Sequence, residues 1–192
     1  MVIWILGLSG AGKSFLSTKL QKELSDDFGN FLILDGDVIR KVFDNDLGFS
    51  IKDRNINASR ISKLVLFLSQ NKVNVIVSVL SLFPDWLEWN RKNIKEYYEI
   101  FIDVPISTLK ARNNKNVYFK EGDQNKNVVG VDIKFIQPKN SDLKIINSFD
   151  QDSLKNNLKL IRKLIKKNDY FIIFYFFYYN FRNIYKLYSS LQ

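Results

Sequence analysis

The octapeptide Gly7-Leu8-Ser9-Gly10-Ala11-Gly12-Lys13-Ser14 constrains this chain more than any other segment. It fits the spacing G-x-x-x-x-G-K-[ST], whose glycines let backbone amides close around phosphate oxygens without Cβ clashes. In a chain of 192 residues a chance match is rarer than about one in a hundred. The flanks supply the context that makes it a site. Val2-Ile3-Trp4-Ile5-Leu6 is a short apolar run, as a buried strand requires, and residues 13–25 place Phe15, Leu16, Leu20 and Leu24 at helical spacing. The loop amides and the following helix N-terminus favour negative charge. The motif therefore predicts an ATP site, with Gly7, Ser9, Gly10, Ala11 and Gly12 around the phosphates. Lys13 reaches the β- and γ-phosphates, and Ser14 holds Mg²⁺.

The same alternation continues along the chain. Further apolar strands are expected at 31–34, 73–80, 98–104 and 143–146. Helices are expected at 53–70, 85–97, from Pro105 onward, and at 152–167, the last with Leu154, Leu158, Ile161 and Ile165 inward. Strands alternating with helices predict an α/β fold: a three-layer sandwich of the P-loop NTPase type around a parallel five-stranded sheet. Residues 113–142 are polar and read as a loop. The expected kinase domain is 1–167, followed by an aromatic-rich extension, 168–192, to which no role is assigned. Tyr170–Tyr179 is aromatic throughout except Ile172 and Ile173. At ten residues it is too short to span a bilayer, which takes about 20. AT-rich coding alone would also produce it.

Composition removes several chemistries. The chain has no cysteine and no histidine, so disulfides, thiolate metal sites and Ser-His triads are excluded. A general base must be a carboxylate, lysine or tyrosine. The formal net charge of +9 comes from scattered lysines and arginines without a recognisable nucleic-acid module. The expected partner is a small anionic nucleotide, with neither nucleic acid nor membrane. Met1–Leu6 lacks a basic flank, so no secretory signal is read there and a cytoplasmic location is expected.

The second strand ends in Leu34-Asp35-Gly36-Asp37, which puts two carboxylates on the ligand edge of an open α/β sheet. Asp37 is a candidate to orient or deprotonate an attacking hydroxyl, and Asp35 to support Mg²⁺ or its waters. Taken alone, the pair also reads as an Asp-Gly turn with a helix cap. Arg40, Arg54 and Arg60 suit bidentate contact with phosphate, or equally surface ion pairs.

These pieces together resemble the adenylylsulfate kinase (APS kinase) family from about Met1 to Lys167. They are Gly7–Ser14; Leu34–Asp37 with Arg40; Gly48-Phe49-Ser50 with Asp53-Arg54, Asn57 and Arg60; Phe101–Pro105; Arg112 with Lys115 and Tyr118; and Pro138 with Asn140–Leu143. The resemblance implies ATP-dependent phosphorylation of a ribose 3′-hydroxyl on a nucleotide, and a homodimer. It implies Asp37 as base, and Arg40, Arg54, Asn57 and Phe49 around the acceptor. Arg112, Lys115, Tyr118 and Lys120 would lie in or beside a lid. Ser81 matches a family serine after the third strand that lines the site or, in some members, accepts phosphate.

The departures bear on the acceptor. Val79-Leu80-Ser81-Leu82 replaces Phe-Ile-Ser-Pro, and Phe83–Trp89 replaces a basic stretch. Phe119–Asp123 replaces a Lys/Ala-rich lid, and Ser59 replaces one arginine of a pair. Val128-Val129-Gly130 stands where the family carries Phe-Thr-Gly, so the second aromatic that sandwiches the acceptor adenine is missing. Base–aromatic stacking is worth about 1–3 kcal/mol per base. A smaller pyrimidine nucleotide fits that loss. The resemblance extends to a relative of the APS kinases that phosphorylates cytidine diphosphoramidate for bacterial capsule decoration. It so implies that acceptor as the favoured one, with adenylyl sulfate as the alternative. A non-catalytic nucleotide-binding module is the reading from another class.

Overall fold

A computed structural model describes residues 1–80, 82–112, 117–118 and 127–166. The chain divides into two compact units, Met1–Leu158 and Lys159–Gln192. The described part of the second, 159–166, is helical. The expected boundary at 167/168, the tail, Ser81, Lys115 and Lys120 lie outside the described residues.

The first unit runs β1 (Val2–Leu6), α1 (Lys13–Phe28), β2 (Phe31–Asp35), α2 (Gly36–Val42), α3 (Ile51–Gln70), β3 (Asn74–Val79), α4 (Pro84–Asn93), β4 (Tyr97–Asp103), α5 (Ile106–Arg112) and β5 (Leu143–Ile146). Residues 151–158 are again helical. The five strands form one sheet in the order β2-β3-β1-β4-β5, and every neighbouring pair is parallel. The expected fold class is the one observed.

The sheet is buried on both faces, which is why β1 is apolar at every position. Val2, Trp4 and Leu6 share a core with Leu34, Ile39, Ile61, Val65 and Leu87, so α2, α3 and α4 cover that face. Ile3 and Ile5 point the other way, the face that α1 lines with Leu16, Leu20 and Leu24. Each such side chain stabilises the fold by about 1.5–3 kcal/mol.

Helix ends follow local chemistry. Asp35 caps α2 by accepting from the Asp37 amide at 2.9 Å. Ser50 caps α3 by accepting from the Asp53 amide at 3.1 Å. Pro84 sits in the first turn of α4, where its missing N–H costs nothing. Two sequence expectations shift. The helix expected over 85–97 stops at Asn93, because Tyr97 pairs with Val2 at the start of β4. Helix α2 is not among the expected helices; its seven residues begin on glycine and are too few to show a periodic stripe.

Strand β4 buries a carboxylate. Glu99 of β4 is completely buried beside Trp4. Arg91 donates to both its carboxylate oxygens at 2.7 and 2.6 Å, and Ser141 donates at 3.0 Å. Desolvation raises the Glu99 carboxyl above its usual range, against the pull of Arg91 and the hydrogen bonds. Among the described residues no helix is long and apolar enough to cross a membrane.

Candidate active site

The sheet order places β1 between β3 and β4, so the crevice beyond the strands' C-terminal ends opens at the tip of β1. The Gly7–Ser14 loop occupies that position. A Cβ on Gly7 would lie 2.8 Å from the Ile102 carbonyl oxygen, so the loop must start on glycine to leave the sheet here. Gly12 is left-handed, at φ 96°, and turns the chain into α1. The Lys13 ammonium folds over the loop and donates to the carbonyls of Gly7 and Leu8, each at 2.9 Å. That holds a cation against the loop backbone, where it can meet an anionic ligand.

Two cavities flank the loop. The first, about 390 Å³, is lined by Ser9, Lys13 and Ser14 of the loop, by Asp35, Gly36 and Asp37 at the end of β2, and by Phe49 and Arg54. Ser78–Leu80, Val117 and Asn127–Val129 complete it. Ser14 donates its hydroxyl hydrogen to an Asp35 carboxylate oxygen at 2.5 Å, and the other Asp35 oxygen holds the Asp37 amide. Asp35 thus fixes the turn that presents the exposed Asp37 carboxylate beside the loop.

Phe49 is 55% exposed and stands at the cavity wall. Its backbone is anchored from two helices. Arg40 of α2, itself buried, donates to the carbonyls of Leu47 and Gly48 at 3.1 and 2.8 Å. Arg54 of α3 donates to the Phe49 carbonyl at 2.9 Å and, across the cavity, to the Asn127 carbonyl at 3.1 Å. The Cζ atoms of Arg40 and Arg54 lie 4.9 and 5.4 Å from the Phe49 ring centroid. Burial lowers both guanidinium pKa values, and for Arg54 the nearby Arg40 charge lowers it further.

The second cavity, about 430 Å³, opens on the opposite side of the loop. Gly10, Gly12, Phe15 and Leu16 line it with Arg112 of α5 and the segment after β5, including Asn147, Phe149 and Asp150. The Arg112 guanidinium carbon lies 3.7 Å from the Phe149 ring centroid.

The structure thus brings Ser9, Lys13, Ser14, Asp35, Asp37, Phe49 and Arg54 together, and puts Arg112 with Gly10 and Gly12 across the loop. Arg40, Asn57 and Tyr118 do not line either cavity. Arg40 supports the loop behind Phe49, and Asn57 is buried in α3. Tyr118 is buried and donates to the Ser9 carbonyl at 2.7 Å; desolvation pushes its phenol up to about 12. Arg60 is taken up by a bidentate pair with Asp46 at 3.0 and 2.7 Å. Sequence reasoning missed Asn147 and Phe149. Their signal was the polar step Asn147-Ser148 immediately after an apolar strand, the same position in a βα unit that drew attention to Asp35 and Asp37.

The family model described as adenylylsulphate kinase matches residues 1–146. The cytidine diphosphoramidate kinase of Campylobacter jejuni subsp. jejuni is 34% identical over 163 residues, 84% of this chain and 94% of that protein. The adenylyl-sulfate kinase of Buchnera aphidicola subsp. Acyrthosiphon pisum is 34% identical over 168 residues, 86% of this chain and 80% of that one. Among solved structures, the Mycobacterium tuberculosis APS kinase in complex with AMPPNP and APS superposes with a TM-score of 0.76. Its sequence identity is 27%, over 86% of this chain and 96% of that one. On a site with a phosphate loop at its centre and a cavity on either side, the chain belongs to the adenylylsulphate kinase family and is an ATP-dependent nucleotide kinase.

Proposed function

We propose that the chain transfers the γ-phosphoryl group of ATP to the ribose 3′-hydroxyl of a nucleotide acceptor, and that the favoured acceptor is cytidine diphosphoramidate. ATP would lay its base in the cavity of Arg112 and Phe149 and its phosphates along Gly7–Ser14. The acceptor would enter the cavity of Asp37, Phe49 and Arg54. Asp37 would take the hydroxyl proton as the oxygen attacks in line, while Lys13 bears charge on the transferred group.

The residues present fit Mg²⁺. A hydroxyl and a carboxylate, Ser14 and Asp35, meet at 2.5 Å beside the phosphate loop. Among the described residues no cluster of three carboxylates competes for a metal, as suits an ion held mainly by phosphates and water. When bound, Mg²⁺ neutralises charge on the β- and γ-oxygens.

The observation that carries the acceptor choice is the lining of the Phe49 cavity. Among the described residues Phe49 is its one aromatic, and Val128 and Val129 line it with aliphatic surface, so the acceptor base would find one ring to stack on. A single stack suits a small pyrimidine, and the Campylobacter relative is named for such an acceptor. Adenylyl sulfate remains a second reading because Phe49 and Arg54 both line the cavity and the Buchnera relative is named for that reaction. Steady-state kinetics with each acceptor and radiolabelled ATP separate them. The expected result is a lower KM for cytidine diphosphoramidate; the reverse order overturns the choice. With that acceptor the enzyme would serve capsule decoration in the cytoplasm. A homodimer would appear at twice the 22.6 kDa chain mass in light scattering.

A further inference from the structure

We infer that Asn147 is a positioning residue that ties the donor-base platform to the phosphate loop. Its side chain spans the two. The Nδ2 group donates to the Ala11 carbonyl at 2.9 Å, inside the phosphate loop and 136 residues away in sequence. The Oδ1 atom accepts from the Phe149 amide at 3.0 Å. Phe149 carries the ring against which the Arg112 guanidinium lies, and all three residues line the same cavity.

The fit is close on the loop side. A Cβ on Gly12 would come within 2.5 Å of Asn147 Nδ2 and 3.8 Å of the Phe149 ring. The left-handed Gly12 is therefore required twice, by its own backbone and by the amide against it. The next residue is fixed separately: Asp150 accepts from the Ser153 amide at 2.7 Å and starts the helix that follows. Asn147 joins the Phe149 backbone to the loop by hydrogen bonds at both ends. Only a side chain with a donor and an acceptor on one short branch can serve both ends.

A mononucleotide binds through its base and through its phosphates. If those two subsites are held in register by Asn147, breaking the link should weaken the benefit of having a base at all. It should affect a base-free polyphosphate far less. This inference rests on the assignment of the Arg112–Phe149 cavity to the ATP base.

The test measures dissociation constants of MgATP and Mg-tripolyphosphate by calorimetry on the full chain, wild type beside Asn147→Ala and Asn147→Asp. Aspartate keeps the acceptor for the Phe149 amide but cannot donate to Ala11. The expected result is that ATP is preferred over tripolyphosphate in the wild type. That preference should shrink about three- to tenfold in both variants, the range of one or two ordinary hydrogen bonds. Tripolyphosphate affinity should change less than twofold. Melting temperatures identify a variant that fails to fold, and the other then decides. An unchanged preference in a folded variant overturns the role of Asn147. No preference in the wild type removes the base assignment itself, and the role of Asn147 with it.

Discussion

The phosphate loop and the wall of the cavity beside it are built by different means. The loop is contiguous: Gly7 to Ser14 run from the end of β1 into the first turn of α1, and Lys13 closes back on Gly7 and Leu8. The wall of the cavity that Phe49 and Arg54 line is assembled from distant parts. Arg40 and Arg54 reach from two helices to four backbone carbonyls, one of them 73 residues away. A contiguous loop holds a triphosphate, which is the same in every reaction of this kind. A wall of loops pinned by arginines can change its base contacts without disturbing that loop. Val128 and Val129 line that wall.

The comparison breaks most sharply at Lys13. Replacing Lys13 with alanine removes the cation over the loop, and kcat should fall about a thousandfold. ATP affinity should fall with it, measured by equilibrium binding. Asp37→Asn should lower kcat about 10²- to 10⁴-fold, the range of a lost general base. Here ATP binding should stay within twofold, since Asp37 lies in the cavity away from Phe149. Wild-type turnover in that variant would refute Asp37 as base.

Phe49→Ala sharpens the contrast further. One lost stacking face, about 1–3 kcal/mol, predicts an acceptor KM raised roughly five- to hundredfold with the ATP KM unchanged. A parallel rise in the ATP KM would mean that the two sides are not independent. Val128→Phe, which puts a ring at the position of the missing aromatic in the cavity that Phe49 also lines, should narrow the preference for the cytidine acceptor over adenylyl sulfate by a smaller factor.

This division also explains what the sequence could be read for. The phosphate loop, the five strands and Asp35-Gly36-Asp37 carry local signals: glycine spacing, apolar runs and a polar step at a strand end. Helix α2 carried almost none, since seven residues starting with glycine show no stripe. Roles that depend on long-range partners were harder still. Nothing near Arg40 indicates that its guanidinium serves the carbonyls of Leu47 and Gly48. Nothing near Asn147 points to Ala11. Side-chain bonds across the chain are set by tertiary packing, which local periodicity does not encode.

Tyr118 tests the smallest effect and the point where the two sides touch. Its phenol donates to Ser9, a loop residue that also lines the acceptor cavity. Tyr118→Phe removes one buried donor while the Ser9 carbonyl keeps a second lone pair, so stability should drop by only about 1 kcal/mol. The pH dependence has a definite sign. Desolvation holds the folded phenol up to about 12, above its ordinary value near 10. The folded state thus retains a proton that the unfolded chain gives up. Stability contributed by Tyr118 is complete below about pH 10 and is lost as pH rises from there towards 12. Denaturant titrations of the wild type and Tyr118→Phe between pH 8 and about 11 should therefore converge as pH rises. A gap that widens instead would mean that the phenol ionises more readily in the fold than outside it, and that its bond to the phosphate loop is not what keeps Tyr118 in place.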